Sequence, residues 1–586
     1  MLDFGVRFGA LVRQKRGVEG LTQEELAFKA FGPNGRKAQI SDLERGKIAS
    51  PQAKIVDPLV VALNISDDEL RACREPVVLP AEGDRPDLPP LLLENLAMRF
   101  GIASPDASAA ELEAYLRDAA KDYTEMKARL NALAEADGRI ANLVGAAQGA
   151  LDQGDFDEAD ARLADAEEIQ QTEHTLVQVR KQAELRTERG KAALMKFDVD
   201  AAYGHFCEAA AFFEPFDKVE ASKTLRETGT SLYFHGLARG DDALQRTIEM
   251  WRKELALLDP DKDAAQWAGT QNNLGNALWA QGIRAEGEAG LTLLAEAVTA
   301  YRTALEVHTR EAMLVEWAIT QNNLGNALME QGIRAEGEAG LTLLAEAVTA
   351  YRTALEVHTR EAMAVDWAMT QNNLGTALQD QGIRAEGAAG LTLLAEAVTA
   401  YRTALEVHTR DAMPVDWATT QNNLGIALRN QGVRAEGDTG LSLLAEAITA
   451  YRAALEVRTR DAMPVEWATT QNNLGAALQD QGIRAEGEAG LTLLAEAVTA
   501  WRAALEVRTR DAMPMQWAMT NENLALAFKA MAEAEPDRAV EHLQSALTHV
   551  DLSLEVYAPE HMPYDFGTAT RLREGIQEKL AALESE

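Results

Sequence analysis

Residues 267–316 read WAGTQNNLGNALWAQGIRAEGEAGLTLLAEAVTAYRTALEVHTREAMLVE. The chain repeats this stretch from Trp317, Trp367, Trp417 and Trp467 and, in altered form, from Trp517. The period is fifty residues, without slippage. A constant period of this size signals stacked repeats, in which each unit buries its apolar face only against its neighbours. Two helical patterns fit inside each unit. Helix A covers roughly residues 267–281, with Gly282 as its C-cap. IRAEGEAG follows as a glycine-bearing connector, and helix B covers roughly 291–310.

Because the copies are nearly identical, the positions that differ stand out. Gly269 becomes Ile319, Met369, Thr419, Thr469 and Met519. Asn276 becomes Asn326, Thr376, Ile426, Ala476 and Leu526. The pair Trp279-Ala280 becomes Met329-Glu330, Gln379-Asp380, Arg429-Asn430, Gln479-Asp480 and Lys529-Ala530. At about 100° per residue these positions fall on one stripe of helix A about 100° wide. Trp267, Leu274 and Leu278 lie on the opposite side. Other polar positions, Arg284, Glu296, Arg302, Glu306 and Arg310, barely vary. Two explanations stand side by side. Either the stripe is a binding groove tuned copy by copy, or exposed positions drift while ion pairs between repeats hold the constant ones.

The succession Leu274-Gly275, Leu278, Ala297, Tyr301, Ala304 resembles the tetratricopeptide (TPR) motif, although TPR units have about 34 residues. The resemblance covers well over half the chain and speaks for fold more than for function. It implies a TPR-type α-solenoid, a superhelix of helical hairpins, whose inner groove is lined by helix A. Beside the variable stripe stands Asn272, repeated as Asn322, Asn372, Asn422 and Asn472. An asparagine amide offers a donor and an acceptor together. TPR proteins, kinesin light chains among them, hold peptide backbones with inner-groove asparagines. The expected ligand groove is therefore Asn272, Asn276 and Trp279, then Asn322, Asn326 and Met329, then Asn372, Thr376 and Gln379. It continues through Asn422, Ile426 and Arg429 to Asn472, Ala476 and Gln479. The expected occupant is a peptide or protein, neutral or basic because the array is acidic. The alternative for each asparagine is an amide that satisfies the neighbouring helix. His308, His358 and His408 give way to Arg458 and Arg508, an exchange that suits a surface cation on helix B.

Residues 138–266 carry alanine and glycine at helical spacing, around Gly149 and Ala159 and again around Gly190, Ala202, Tyr203 and Phe206, and read as degenerate TPR repeats. Downstream, Val540, Leu543, Leu547 and Val550 continue the apolar pattern, and 539–586 reads as C-terminal capping helices. Residues 77–98 form a Pro-rich linker, with Pro80, Pro86, Pro89 and Pro90. In the helical, coiled-coil-like segment 99–137, Ser108 and Glu111 make a capping box. Leu112, Leu116, Ala119, Tyr123, Met126, Leu130 and Leu133 then alternate spacings of four and three, the seam of a coiled coil. This makes a homodimer through 108–134 one expectation and packing onto the repeats the other.

Residues 1–76 read as a run of short helices. Phe4, Phe8, Leu11 and Val12 form one apolar stripe, and Thr22 precedes Gln23-Glu24-Glu25 as a capped start. Gly32-Pro33-Asn34-Gly35 is a breaker. Ile40 and Leu43 face inward from the next helix. The strings LTQEELAFKAF, AQISDLERGKIASPQ and VVALNIS resemble the Cro/repressor-type (XRE-like) helix-turn-helix domain over about residues 5–72. The interval from Leu26 to Ile40 is about three residues longer than in that family. The resemblance implies double-stranded DNA as a partner, with the second motif helix in the major groove. Thr22 and Gln23 would sit at the backbone, Arg36, Lys37, Gln39 and Asp42 at phosphates or base edges, and Arg45 and Lys47 at further phosphates. Glu44 would pair with Arg13 or Arg16. The alternative is a domain of this fold that contacts protein.

The chain holds 57 basic and 92 acidic side chains, for a net charge of −35. Residues 1–75 nearly balance, with 12 basic and 11 acidic, so the acidity belongs to the rest and argues against nucleic acid lying along it. Two cysteines, Cys73 and Cys207, allow no disulfide framework and fit a reducing compartment. No apolar run reaches the roughly 18 residues of a membrane span, so a cytoplasmic protein is expected. GxxxxGK[ST], GxSxG, HExxH and CxxC are all absent, and neither catalysis nor a cofactor is expected. The fold class read from these features is all-α: an N-terminal helix-turn-helix domain followed by a TPR-type solenoid with a fifty-residue period. The functional expectation is a DNA-binding regulator whose repeats, 267–538, hold a peptide or protein. The alternative is an interaction scaffold that does not bind DNA specifically.

Overall fold

The computed structural model describes residues 4–32, 37–45, 47–74, 86–103, 109–134, 138–170, 176–240, 242–485 and 487–585. Every regular element among them is helical. The chain divides into two compact units, 1–281 and 282–586.

In the first unit, α1 (Phe4–Val18), α2 (Gln23–Phe31), α3 (Lys37–Glu44), α4 (Ala53–Ala62) and α5 (Asp67–Arg74) enclose a core that includes Phe8, Leu11, Val12, Leu26, Ile40, Leu43 and Leu59. The start of α2 is capped as the sequence predicts. The Glu25 amide donates to Thr22 Oγ1 (3.2 Å), and the Glu25 carboxylate accepts from the Thr22 amide (2.7 Å), which satisfies two otherwise orphaned N–H groups.

Next come α6 (Pro90–Ala103), α7 (Ala109–Ala134), α8 (Gly138–Asp152) and α9 (Phe156–Gln170), which share a second core. Two expectations are corrected here. The linker does not extend to residue 98. Pro90 opens α6, where a missing N–H is harmless, and Leu92, Leu93, Leu96 and Ala97 are buried at helical spacing. The seam of α7 is not free to make a homodimer through 108–134. Leu116, Ala119, Tyr123, Met126, Leu130 and Leu133 are buried in this unit's own core. A four-three spacing marks an apolar stripe without saying whether its cover comes from the same chain. Ser108 of the expected capping box and linker residues 77–85 lie outside the described residues.

Two helical hairpins follow, α10 (Leu176–Met195) with α11 (Val199–Phe213) and α12 (Lys218–Arg239) with α13 (Ala243–Leu257), and then α14 (Ala264–Arg284). The second unit begins within the last turn of α14 and continues with α15 (Gly287–Leu305). The regular hairpins are α16 (Leu314–Arg334) with α17 (Gly337–Ala354), α18 (Ala364–Arg384) with α19 (Gly387–Ala404), and α20 (Pro414–Arg434) with α21 (Gly437–Leu455). Then come α22 (Pro464–Arg484) with α23 (Gly487–Leu505) and α24 (Pro514–Ala534) with α25 (Ala539–Leu554), followed by α26 (Pro563–Ser585). The all-α class and the stacked hairpins at a fifty-residue period are as expected.

The helix boundaries differ from the expected ones. Helix A runs on to Arg284, so Gly282 lies inside it and is not its C-cap. The connector shrinks to Ala285 and Glu286, and Gly287, at φ +59°, already begins helix B. Helix B stops at Leu305, short of residue 310. The small-large motif is a physical contact. A Cβ on Gly325 would lie 2.6 Å from the Tyr351 ring, and Gly375 and Gly425 meet Tyr401 and Tyr451 in the same way. Only a residue without a side chain lets helices A and B approach this closely.

Three arginines per repeat explain the polar positions that do not vary. Arg302 pairs with Glu346 of the next helix B (2.6 Å), and Arg352, Arg402 and Arg452 repeat the pairing with Glu396, Glu446 and Glu496. Arg310 pairs with Glu356 (2.6 Å), and the series runs on through Arg510 with Glu555. Arg334 donates to the carbonyls of Gly282 (2.9 Å), Ile283 (2.8 Å) and Ala285 (2.9 Å). Arg384, Arg434 and Arg484 do the same one repeat further on. These carbonyls lie in the last turn of the preceding helix A and just past its end, where intrahelical donors run out. Of the two explanations offered for the constant polar positions, ion pairs and clamps between repeats is the one the structure has.

Candidate functional site

Each helix A presents one long face. On α18 it runs Val365, Met369, Asn372, Thr376, Ile383, all within a narrow angle at 3.6 residues per turn. The two ends are exposed and apolar. Val365 is 53% exposed, and Val315, Val415 and Val465 match it. At the other end stand Ile333, Ile383, Val433 and Ile483, the last 57% exposed. The two rows are about 27 Å apart along the helix. Glu316, Asp366, Asp416 and Glu466 follow the valine row directly in sequence.

Between the rows lie the residues that the sequence singled out, and they are more engaged than a bare groove requires. Asn326 Oδ1 accepts from Tyr351 Oη (2.7 Å) and from Asn373 Nδ2 (3.1 Å). Met329 lies beside the same tyrosine hydroxyl. Thr376 accepts from Tyr401 (3.1 Å), and Gln379, buried, accepts from it at 3.5 Å. Arg429 donates to Asp480 of the next repeat (2.6 Å). Burial pushes the neighbouring Asp380 carboxyl up to about 6 against the pull of Arg384. Ile426, Ala476 and Gln479 are half-buried, as are Asn272, Asn276 and Trp279 on α14.

The asparagine ladder is built differently from the expected one. Asn322 and Asn422 are buried. The Asn322 oxygen accepts from Thr370 (3.2 Å), and the Asn422 oxygen accepts from Thr470 and Asn473 (3.3 Å each). The oxygens of Asn372 and Asn472 accept from Asn423 and Asn523 (3.4 Å each). Their acceptors serve the next helix A, the alternative that the sequence left open for each of them. A second correction concerns the histidines. His308, His358 and His408 are buried, not surface cations, and bond to Thr320, Thr370 and Thr420 beyond the end of helix B. Some of the variation across the copies follows from this seam. Arg458 and Arg508 reach back to Thr419 and Thr469 (3.0 and 3.2 Å). Ile319 and Met369 stand at the same distance in sequence before His358 and His408. That part of the variable stripe answers to packing between hairpins.

In the N-terminal domain, Lys37, Arg45 and Lys47 are exposed and Gln39 and Asp42 half-buried. Acidic neighbours already hold much of this charge. Lys37 pairs with Glu24 (3.3 Å), and Arg45 with Asp42 (3.0 Å), which also lies 3.9 Å from Lys47. Thr22 is the helix cap, and Gln23 donates to Glu44 (2.6 Å). Glu44 pairs with Arg16 (2.7 Å), whereas Arg13 turns to Asp155 and Asp157. Arg36 lies outside the described residues.

Sequence reasoning missed the two apolar rows. As constant apolar residues they pass for core. Their exposure was signalled only by their angular position, beside Met369 and Thr376 and away from Leu374. Among the described residues no group of three or more His, Cys, Asp or Glu is placed to hold a metal. No described helix is long and apolar enough to cross a membrane.

No known protein family matches the chain, and no curated protein does. Among solved structures it is similar to the APC/C hetero-tetramer Cut9-Hcn1 (TM-score 0.31, 15% identity, covering 83% of this chain and 93% of that one). It is also similar to a Rap protein complexed with competence and sporulation factor (TM-score 0.28, 12% identity, covering 69% of this chain and 99% of that one). A likeness this distant says nothing about what the chain binds.

Proposed function

We propose that the protein is a non-catalytic binding scaffold that holds a peptide or protein partner on the helix A faces of 267–538. The observation that supports this most is the recurrence of exposed apolar side chains at both ends of successive helices A. Isolated exposed apolar residues are ordinary, but aligned rows of them mark interaction surfaces. The carboxylates beside the valine row favour a partner with basic groups. The test is affinity capture with the full chain and with a variant carrying Val365→Asp, Val415→Asp and Val465→Asp. Loss of specific partners at unchanged helicity supports the reading. An identical captured set ends it.

A second reading, a DNA-binding regulator, draws on the exposed Lys37, Arg45, Lys47 and Lys54 of the N-terminal domain. Operator binding would weaken steeply with salt through counterion release, and Arg36→Ala with Lys37→Ala would abolish it. Selection from genomic fragments that enriches no sequence removes this reading and leaves the scaffold.

A further inference from the structure

Equivalent seams between hairpins hold a buried histidine in three places and an arginine in two. His308 Nδ1 lies 3.0 Å from Thr320 Oγ1, His358 Nδ1 3.0 Å from Thr370, and His408 Nδ1 2.9 Å from Thr420. The Thr320 hydroxyl donates to the carbonyl of Glu316 (2.7 Å), and the single Thr370 hydrogen is shared between the Asp366 carbonyl (2.7 Å) and Asn322 Oδ1 (3.2 Å). Their oxygens therefore accept from the imidazoles, Nδ1 carries the hydrogen, and Nε2 is bare. His358 Nε2 is buried without a hydrogen-bond partner.

The arginine seams show what a permanent charge needs in this place. Arg458 donates to Thr470 and to Thr419 (3.0 Å each), and Arg508 to Thr520 and to Thr469 (3.2 Å each), so two N–H groups of each guanidinium are bonded while its Nε stays buried without a partner. The second threonine comes from the preceding helix A. At that position Ile319 precedes His358 and Met369 precedes His408. An imidazolium at His358 would have its second N–H at a buried Nε2 that no hydroxyl reaches, and a buried, unpaired donor or charge is strongly unfavourable.

We propose that the histidine seams make the first part of the regular array acid-responsive: protonation of His308, His358 and His408 loosens the hairpin contacts around them, while the seams at Arg458 and Arg508 stay closed. This does not depend on what the helix A faces bind. The charged groups nearby do not rescue the protonated rings. Glu316, Asp366 and Asp416 each favour a proton, but burial outweighs them and holds all three histidines below their ordinary value. Arg310, Arg360 and Arg410, two residues on, are turned to Glu356, Glu406 and Glu456. The preceding helix A supplies the uncharged Ile319 and Asn322 behind His358. The sign follows. The open state binds protons more readily than the closed one, so the contribution of these seams is complete above about pH 6.5 and is lost as pH falls through the lower value of the closed state.

The test is hydrogen–deuterium exchange of the full chain at pH 7.5 and 5.5, corrected for intrinsic rates. Exchange in α16, α18 and α20 should rise relative to α22 and α24 by up to about tenfold, the most that one group titrating at about 6.5 in the open state can contribute at pH 5.5. A uniform change along the array, or none, overturns the proposal. In a variant carrying His358→Arg with Ile319→Thr, one seam becomes the arginine kind, and it alone should lose its response. Imidazole titration by NMR needs no variant. Three rings that protonate at the ordinary histidine value without faster exchange also overturn it.

Discussion

Arg384 Nη1 donates to the backbone carbonyl of Gly332 at 2.8 Å, one repeat upstream, and its fork also spans the carbonyls of Ile333 and Ala335. Hydrogen bonds from a charged donor to carbonyls at a helix end contribute about 1.5–3 kcal/mol, and the lower end of that range applies here because Arg384 is itself exposed. The Arg352–Glu396 pair has both side chains about half exposed and contributes about 0–1 kcal/mol. Arg384→Ala should therefore lower the urea midpoint clearly more than Arg352→Ala. Arg384→Lys should recover little, because an ammonium cannot span three carbonyls. Equal losses for the two alanine variants would contradict this assignment.

Gly325 and Gly269 make a second contrast. A Cβ on Gly325 would meet the Tyr351 ring at 2.6 Å, whereas one on Gly269 has nothing within 4 Å. Gly325→Ala overpacks the contact between helices A and B and should destabilise by about 1–3 kcal/mol. Gly269→Ala in α14 should be neutral or stabilise by up to about 1 kcal/mol, since alanine restricts the unfolded chain and suits a helix. Thermal midpoints of the two variants, compared in opposite directions from wild type, check this.

Glu44 is a keystone of the N-terminal domain. Its buried carboxylate accepts from Arg16 Nε (2.7 Å), Arg16 Nη2 (3.1 Å) and Gln23 Nε2 (2.6 Å). Glu44→Ala leaves a half-buried guanidinium without its counter-charge and should cost about 3–5 kcal/mol, read as selective loss of protection in α1–α3. Gln23→Ala should also destabilise this domain, so any effect of that variant on DNA affinity has to be separated from folding.

Glu254 on α13 gives a pH dependence of the opposite sense to the histidines. It is buried, with Ser222 (3.2 Å) and Gln266 (3.5 Å) donating to it and Arg226 at 3.5 Å. Burial nevertheless pushes its carboxyl up to about 7. The folded state then holds a proton that the unfolded state has already released. Stability from this group is complete at low pH and declines as pH rises from about 4.5 to about 7, by up to roughly 3 kcal/mol. Glu254→Gln should flatten the change in the unfolding midpoint of the first unit between pH 5 and 8. A profile unchanged from wild type would show that the carboxyl titrates normally.

Much of the architecture was legible in the residue order because its causes are local or periodic. Thr22 and Glu25 cap α2 through groups three residues apart, and the contact of Gly325 with Tyr351 recurs at Gly375 and Gly425. Helix ends were harder to read. The carbonyls near Gly282 are satisfied by Arg334, roughly fifty residues away, so nothing near Gly282 signals that helix A continues past it. The Leu116–Leu133 seam reads alike whether its cover is a second chain or α6 and α8.

The candidate face divides along the same line. The sequence by itself determined the helical repeats, their period and the stripe of helix A along which the copies differ, since these depend only on residue type and angular spacing. Tertiary structure alone decided that His358 is buried against Thr370, that the Asn322 oxygen is taken by the next helix, and that Val365 and Ile383 stand exposed. Exposure and hydrogen-bond partnership belong to pairs of helices from different repeats. A side chain's own helix sets the direction in which it points, but not what lies there.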